Sequence, residues 1–559
     1  MLDSLVLGPL LRYVDETSAA VWVELRSAGT VVVKVANREW TASTFAAHGH
    51  HYALVQVEGL APGSVQAYTV EVDGVTVWPL AGESLPPSRI ATLRPGQDLR
   101  LAFGSCRMSL PHDERSTKEH GADALRAYAR HMASGDADKW PDLVLFLGDQ
   151  VYADETSDEM RDFIERRRGL DDPPGPELKD FEEYTHLYEL AWTDPTNRWL
   201  LSTLPSAMIF DDHDIRDDWN TSAQWRREMA RVPWWPGRIS GGLASYWIYQ
   251  HLGNLSPAER AKDEIWARIV AAQEAGEQRD WGEVLDAFAT RADEHPETYQ
   301  WSFVRDIGRT RLVVVDSRSA RVLKPSERSI LDDGEMTWLD AQLRGDFDHV
   351  LIGTSLPFLL AKGLHNFEAW SEAVASGAWG RRAAVAGEKI RRAVDLEHWA
   401  AFHDGFQQVA TMVLELASGK RGPAPGSVTF LSGDVHHSYV AEVELAGSTT
   451  RVVQAVCSPI RNRLGRKDAA FLKLLGHGFL SRVSAFGARR AQVPPPVISW
   501  DVTHGPWFDN NLATLETAGR SMSLRWEAGT AGGSSRSESG GATEVAELEV
   551  VAELTITER

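Results

Sequence analysis

Apolar and polar positions alternate with a period of two along residues 1–95. The clearest segments are rich in Val, Tyr and Trp: AAVWVELR, TVVVKVAN, HYALVQVEG and QAYTVEVDG. This period is that of a strand with one buried face, and short turn sequences such as LAPGS separate the segments. The pattern predicts an N-terminal all-β sandwich over 1–95 with a hinge at RPGQ, 94–97. Because so small a domain buries little of its own surface, we expect it to pack against the rest of the chain.

The pattern changes near residue 98, where short apolar runs alternate with longer amphipathic segments. The runs are LRLAFGSC (99–106), DLVLFLGD (142–149), SAMIFDDHD (206–214), RLVVVDSR (311–318), HVLIGTSLPF (349–358) and VTFLSGDVHH (428–437). The amphipathic segments predict helices at 119–135, 178–202, 240–275 and 387–417. Apolar runs bounded by turns predict strands buried on both faces, and hence a layered α/β domain over 98–559.

The C-terminal part of this domain, residues 515–559, contains two strand-like segments, SMSLRWEA and EVAELEVVAELTITE. Between them lies the Gly/Ser-rich sequence AGTAGGSSRSESGGAT. Such a composition is typical of a flexible linker, so the sequence predicts a mobile loop here.

Polar and ionisable residues come directly after most of the predicted buried strands. The groups are Ser105-Cys106-Arg107, Gly148-Asp149-Gln150-Val151-Tyr152, Asp211-Asp212-His213-Asp214 and Gly433-Asp434-Val435-His436-His437. In open α/β sheets the ligand crevice lies outside the carboxyl ends of the strands. We therefore expect these four stretches to converge on one site.

The chemistry of this set favours bound metal ions. Several carboxylates gathered in one crevice repel one another unless cations neutralise them. A Tyr phenolate is a rare ligand, because free Tyr has a pKa near ~10, and it requires a strongly charged ion such as ferric iron. Oxygen donors such as Asp212 and Asp434 suit Ca²⁺, Mg²⁺ or Mn²⁺. The mixture predicts at least two metal positions of different character, a recurring arrangement for phosphoester hydrolysis by a metal-bound hydroxide.

Composition narrows the possible partners. With 58 basic and 79 acidic side chains the net charge is −21, which argues against nucleic-acid binding except to a diester substrate. No apolar run approaches the ~20 residues of a membrane helix. The start of the chain has neither a basic n-region nor a twin arginine, and cysteine occurs only at Cys106 and Cys457, so we expect a cytoplasmic protein. Nothing in the pattern indicates an oligomeric state.

The motifs resemble those of the PhoD-like (alkaline phosphatase D) family, within the calcineurin-like metallophosphoesterase superfamily. The matching stretches are FGSC (103–106), GDQVYADE (148–155), FDDHDIRDDWN (210–220), SGDVHHS (432–438) and VCSPIRN (456–462), and they occur in the family's order. The opening GPLLRYVDETSAAVWVE also resembles the family's preceding β domain. The resemblance implies an αββα metallophosphoesterase sandwich and a hydrolase active on phosphomonoesters, phosphodiesters or both. It also implies Fe³⁺ and one or two divalent cations, Ca²⁺ or Mg²⁺/Mn²⁺.

The resemblance also assigns roles to individual residues. It implies that Cys106, Tyr152 and His436 bind the iron, that Asp149 bridges the metals, and that Asp212 and Asp434 serve the other ion or ions. His213 corresponds to the histidine of the superfamily's Asn-His pair, and we expect it to protonate or stabilise the leaving oxygen. Asp217-Asp218 stand where the family often has Asn-Asn, so the number and identity of the outer metal ions stay open.

Arginines next to these motifs are candidates for binding phosphate. Arg107 comes after Cys106, and Arg461 lies in SPIRN; a guanidinium can hold a phosphate through two hydrogen bonds. The alternative is that both arginines pair with surface carboxylates.

The other candidate residues have structural interpretations. Cys106 and Tyr152 could be packed core residues, and Cys457 is expected to be one. Asp316 is expected to give structural support with Arg318 as its partner. The Trp-rich sequence VPWWPGR (232–238) could bind an aromatic or apolar leaving group or pack on the core. The alternative function is a non-catalytic phosphate- or ligand-binding protein that retains the fold.

Overall fold

The computed structural model describes residues 4–325, 327–465, 478–536 and 542–557. Its first part consists of strands, as predicted: β1 (Leu5–Val14), β2 (Ala19–Leu25), β3 (Thr30–Val35), β4 (Arg38–Ser43), β5 (Phe45–Ala47), β6 (His50–Val57), β7 (Val65–Val72), β8 (Val75–Trp78) and β9 (Arg89–Ala91). They form two sheets in the orders β1-β2-β6-β5 and β4-β3-β7-β8, and β9 pairs with β7. Alternate residues of β3, such as Val31 and Val33, are buried between the sheets.

The N-terminal sheets pack on the neighbouring α/β region through buried polar contacts. The Arg12 guanidinium donates to the Gln250 carbonyl at 2.6 Å, and the Tyr68 hydroxyl donates to the Ser202 carbonyl at 2.7 Å. In the opposite direction, Arg198 donates to the Gly8 carbonyl at 2.6 Å. The contact between the two regions that the sequence predicts is therefore present.

The α/β region contains the remaining strands. They are β10 (Arg100–Gly104), β11 (Leu143–Leu147), β12 (Ser206–Ile209), β13 (Phe303–Ile307), β14 (Thr310–Val315), β15 (His349–Thr354), β16 (Ser427–Ser432), β17 (Ser438–Val443), β18 (Arg451–Val456), β19 (Trp500–Trp507), β20 (Asn511–Ala518), β21 (Ser521–Arg536) and β22 (Ala542–Thr557). One sheet has the order β12-β11-β10-β20-β21-β22 and the other β13-β14-β15-β16-β18-β17-β19.

Parallel strands form the centre of both sheets. The parallel pairs are β10–β11 and β11–β12 in the first sheet, and β14–β15, β15–β16 and β16–β18 in the second. The sheets contact each other: a Cβ on Gly353 of β15 would lie 3.2 Å from Leu147 of β11. The mixed α/β character with an all-β region in front is as predicted, and it brings the carboxyl ends of strands from both sheets together.

The helices are α1 (Glu114–His120), α2 (Ala124–Ser134), α3 (Asp158–Arg167), α4 (Phe181–Trp192), α5 (Pro195–Thr203), α6 (Ala223–Met229), α7 (Trp235–Tyr246), α8 (Pro257–Arg260), α9 (Glu264–Glu274), α10 (Gly282–Glu294), α11 (Asp333–Gln342), α12 (Lys362–Ala375), α13 (Arg381–Ala393), α14 (His403–Ala417) and α15 (Gly478–Arg490). The predicted helical segments are thus interrupted. Asp194 caps α5 by accepting from two backbone amides, so 178–202 divides before Pro195. None of the helices in the described ranges has the length and apolar character needed to cross a membrane.

The C-terminal hairpin corrects the prediction of a long mobile loop. β21 continues to Arg536 and β22 begins at Ala542, so most of the Gly/Ser-rich sequence lies in strands. The remainder, 537–541, lies outside the described residues. These strands pair with each other and extend the sheet beyond β20. Backbone pairing along a neighbouring strand outweighs the weak strand preference of the composition.

Candidate metal centre

The predicted site residues converge where strands of both sheets end. Oxygen atoms of Asp149, Asp211, Asp212 and Asp434 lie within 4.8 Å of one another, and Asp149, Asp212 and His213 form a second such group. The Cys106 thiol donates to Asp149 Oδ2 at 3.3 Å, and the Tyr152 hydroxyl lies 3.5 Å from the same oxygen. His436 lines the same cavity as Asp212, His213 and Asp434. The structure thus brings together the six residues expected to bind metal.

Backbone strain accompanies this convergence. Cys106, Asp149, Asp434 and His436 all have positive φ angles, of 56°, 50°, 66° and 51°. This left-handed conformation is uncommon outside glycine and costs on the order of 1–3 kcal/mol per residue. Strained residues of this kind cluster at functional sites, where a turn must aim its side chain away from the strand's path.

A glycine permits the close approach of two strand ends. Gly433 comes directly after β16, and a Cβ built on it would lie 1.9 Å from Ser105 Oγ, just beyond β10. The neighbouring Asp434 amide donates a hydrogen bond to Ser105 Oγ at 3.1 Å. The missing side chain at residue 433 therefore allows the Asp434 turn to lie beside Cys106.

The carboxylates of the cluster are not neutralised by hydrogen bonding alone. Asp149 Oδ1 and Asp211 Oδ2 are buried without a hydrogen-bond partner. Burial, with further contributions from neighbouring aspartates, raises the pKa of both carboxyl groups well above the ordinary value. A buried oxygen of this kind requires an explanation, and a cation is the simplest one. The donor set therefore fits metal ions.

A buried arginine that the sequence analysis assigned differently neutralises part of this charge. Arg318 bonds through Nε to Asp211, lies 3.0 Å from Asp212 through Nη2, and donates to Glu397 at 2.5 Å through Nη1. Asp316 is not the partner of its guanidinium; the Asp316 carboxylate accepts the Arg318 backbone amide at 2.8 Å. Arg318 lies just beyond the end of β14, so it follows a buried strand, as the predicted site residues do.

His213 is held by a carboxylate outside the cluster. Its Nδ1 lies 2.9 Å from Asp154 Oδ1, and its ring lies against Tyr152 with centroids 4.7 Å apart. Burial would lower the pKa of His213, but Asp154 and Asp212 outweigh it and raise the pKa well above the ordinary value. The pairing occupies Nδ1 and leaves Nε2 available as either a proton donor or a metal ligand.

A second histidine supports Asp434 and was not found from the sequence. His398 Nε2 lies 3.0 Å from Asp434 Oδ2, and its Nδ1 lies 2.7 Å from Glu368. Burial would raise the pKa of Asp434, but the His398 hydrogen bond and charge bring it down to about 2. His398 falls between α13 and α14, in a segment predicted to be helical, so no strand-end signal marked it.

The arginines expected to bind phosphate point elsewhere. Arg107 Nη2 pairs with Asp123 at 2.8 Å, and its Nη1 donates to the Ala191 carbonyl at 2.9 Å. Arg461 donates to the carbonyls of Leu110 and Pro111. Both guanidinium groups are buried and hydrogen-bonded away from the cluster, Arg107 to a buried carboxylate and Arg461 to backbone carbonyls rather than to surface carboxylates, so we assign neither a role in the site.

Three other candidates have structural roles. Cys457 is buried and donates to Asn511 Oδ1 at 3.0 Å, as a packing residue would. Trp235 of the Trp-rich sequence is buried and packs edge-on against Trp225. Asp214 accepts the backbone amides of Asp149 and Asp211, both at 2.9 Å, and so fixes the two turns that carry the carboxylates.

The fold and the carboxylate cluster together define an α/β protein with a candidate metal centre at the carboxyl ends of its strands. A profile of the PhoD-like phosphatase family matches residues 115–473. The chain therefore belongs to the PhoD-like phosphatase family. A domain of unknown function, DUF7800, matches residues 2–90, which is the N-terminal all-β region.

Among solved structures, one described as "Structure of PhoD" shares 16% identity with a TM-score of 0.59, covering 99% of this chain and 93% of that one. This likeness shows the fold. A match to a type III pullulan hydrolase from Thermococcus kodakarensis has 11% identity and covers 99% of each chain, but its TM-score of 0.14 is too low to indicate a shared fold. A search of curated proteins found no match.

Proposed function

We propose that this protein hydrolyses phosphoesters, monoesters or diesters, at the Asp149–Asp212–Asp434 cluster with bound metal ions. The observation that carries the proposal is the pair of unpartnered buried oxygens on Asp149 and Asp211, within a group of four carboxylates. Membership of the PhoD-like phosphatase family supports the same chemistry. The small phosphoester substrate and the cytoplasmic location stay predictions.

The proposal assigns each ligand to one of two positions. Cys106, Tyr152 and His436 would hold ferric iron with Asp149, and Asp212 and Asp434 would hold a divalent cation, Ca²⁺ or Mg²⁺/Mn²⁺. When bound, the ions would supply the charge that lowers the pKa of water and stabilises the phosphoryl oxygens. His213, oriented by Asp154, would give a proton to the leaving oxygen.

We also infer that the layers are arranged in the order αββα. Contacts of α2 with β20, β21 and β22, and of α11 with β14 and α14 with β16, support helices outside both sheets.

The test combines metal analysis with turnover of the full-length protein. Purified protein should contain iron and a second metal, absorb visible light through a Tyr152 phenolate, and hydrolyse chromogenic phosphomonoesters or diesters. Tyr152→Phe should remove the colour, and Asp149→Asn should lower both metal content and turnover.

Asp346→Asn is the matched control, because the side chain is 61% exposed and lies outside the cluster. It should change neither the metal content nor the turnover. Metal-loaded protein that binds phosphate but hydrolyses neither ester class would favour the non-catalytic alternative. Protein that takes up no metal would refute the proposal.

A further inference from the structure

The cavity that contains the carboxylate cluster also has an apolar wall. The cavity has a volume of about 620 Å³, and its lining includes Asp212, His213 and Asp434. The apolar wall consists of Leu364 and Phe367 of α12, Ile390 of α13, Val394 just beyond α13, and Val483 of α15. These helices pack together, since α12 contacts both α13 and α15.

The side chains of this wall are unusually exposed for their type. Ile390 is 36% exposed, Val394 46% and Val483 52%. A second groove shares Phe367 and Val483 with this cavity and is also lined by Trp370, Trp379 and Phe486. Contiguous apolar surface of this kind marks a binding site more often than an accident of folding. Here it is concave and lines the same cavity as the candidate reaction centre.

We propose that this apolar wall binds the alcohol portion of the substrate, so that the protein prefers phosphoesters of alcohols with a large alkyl or aryl group. The inference rests on the proposed function. In the reaction, the oxygen of water bonds to phosphorus, the bond from phosphorus to the alcohol oxygen breaks, and that oxygen takes up a proton. Until that bond breaks, the alcohol portion must occupy the space adjoining the cluster.

The expected preference depends on how much apolar surface the substrate and the wall remove from water when they come into contact. With the phosphoryl group at the carboxylates, the ester substituent can occupy the rest of the same cavity, whose lining includes Phe367, Ile390 and Val394. Each methylene group that is buried against this wall should increase the association constant by up to about fourfold. An ester of a short or charged alcohol leaves these side chains exposed to water, so we expect no increase in its affinity.

The experiment uses a series of straight-chain alkyl phosphates from methyl to octyl, whose leaving groups have similar acidity, with the matching methyl alkyl diesters. For the metal-loaded full chain, kcat/KM should rise by about two- to fourfold per methylene until the cavity is filled. Calorimetry with alkylphosphonates, which are not hydrolysed, should give the same trend in Kd.

The double variant Val394→Ser with Val483→Ser should reduce the octyl-to-methyl ratio of kcat/KM and of Kd. Both positions are exposed, so the substitutions should not impair folding. Val65→Ser is the matched control, because Val65 of β7 is 57% exposed and distant in the chain from the cavity; it should keep the wild-type ratio.

The outcomes separate the two proposals. Turnover of short esters with no dependence on chain length would overturn the preference and leave the proposed function standing. Binding of long phosphonates without turnover of any ester would overturn the proposed function but not the apolar site. A dimer in sedimentation that dissociates in the double variant, together with a flat chain-length series, would assign the surface to a second copy and overturn the preference.

Discussion

Arg318 is the residue on which the charge balance of the site depends most. Its guanidinium is fully buried among Asp211, Asp212 and Glu397, so it acts as a built-in cation beside the candidate metal positions. Removing one member of such a network leaves the others charged and unpaired in a medium that solvates them poorly.

Arg318→Met should therefore lower the free energy of unfolding by about 3–5 kcal/mol, measured by denaturant titration of the metal-free protein. Added divalent cations should restore part of the loss, because they neutralise the same carboxylates. Arg309→Met is the control; its side chain is 51% exposed and its ion pairs lie at the surface, so we expect little change in stability. Equal losses in the two variants would contradict the assigned role.

His213 tests whether a histidine beside the cluster moves protons or binds metal. His213→Ala should lower kcat by about 10²–10⁴ and leave the metal content unchanged if the side chain is the acid. The measurement pairs steady-state kinetics with elemental analysis, and His504→Ala, in an exposed position of β19, is the control. Loss of metal together with activity would make His213 a ligand, which its place beside Asp149 and Asp212 also permits.

At the scale of secondary-structure elements, the turns that follow the strands position the residues of the site. The turns after β10, β11 and β16 carry Cys106, Asp149 and Asp434 in left-handed backbone conformations. Asp214 fixes two of the strand-end turns by accepting backbone amides. The predicted long helices are divided, and the break in 387–417, between α13 and α14, carries Glu397 and His398, which contact Arg318 and Asp434.

Gly433→Ala should disrupt the contact between the ends of β16 and β10, because the added Cβ would overlap Ser105. We expect a lower thermal midpoint and reduced metal content. Ser105→Gly in the same chain should recover both, since it removes the overlapping atoms. Gly334→Ala within α11 is the control and should be neutral or stabilising, as its nearest neighbour is a side-chain oxygen at 3.2 Å. A stable, metal-loaded Gly433→Ala protein would contradict the steric argument.

At the scale of the whole molecule, a histidine joins the N-terminal sheets to the α/β region. His50 of β6 lies 3.0 Å from Glu24 through Nδ1 and 2.9 Å from Glu182 of α4 through Nε2. Burial would lower the pKa of His50, but these two carboxylates outweigh it and raise the pKa to about 9. The protonated form therefore stabilises the junction.

Because the folded pKa of His50 lies above the unfolded value, its contribution is complete below about pH 6.5 and is lost as the pH rises through about 9. The thermal midpoint should fall as the pH is raised across this window, and His50→Gln should make that fall smaller. His295→Gln, 62% exposed, is the control and should leave the pH dependence unchanged. A variant with the wild-type pH profile would exclude His50 from the junction's stability.

The sequence by itself located the N-terminal strands, six buried strands of the α/β region and the polar residues that follow most of those six. The period of two marked the N-terminal sheets, and the continuous apolar runs marked β10, β11, β12, β14, β15 and β16. Because the ligand crevice of an α/β sheet lies at the carboxyl ends of its strands, the order of residues along the chain indicated that Cys106, Asp149, Asp212 and Asp434 converge. The division of these strands between two packed sheets appeared only in the tertiary structure.

Only the tertiary structure decided where long side chains point and what lies between elements. Arg107 and Arg318 both stand just beyond buried strands, yet Arg107 turns to Asp123 while Arg318 enters the carboxylate cluster. Their sequence neighbours do not distinguish them, because a flexible side chain pairs with whichever buried charge the fold places within reach. His398 and the apolar wall of α12, α13 and α15 depend on packing between segments far apart in the chain, which no local periodicity encodes.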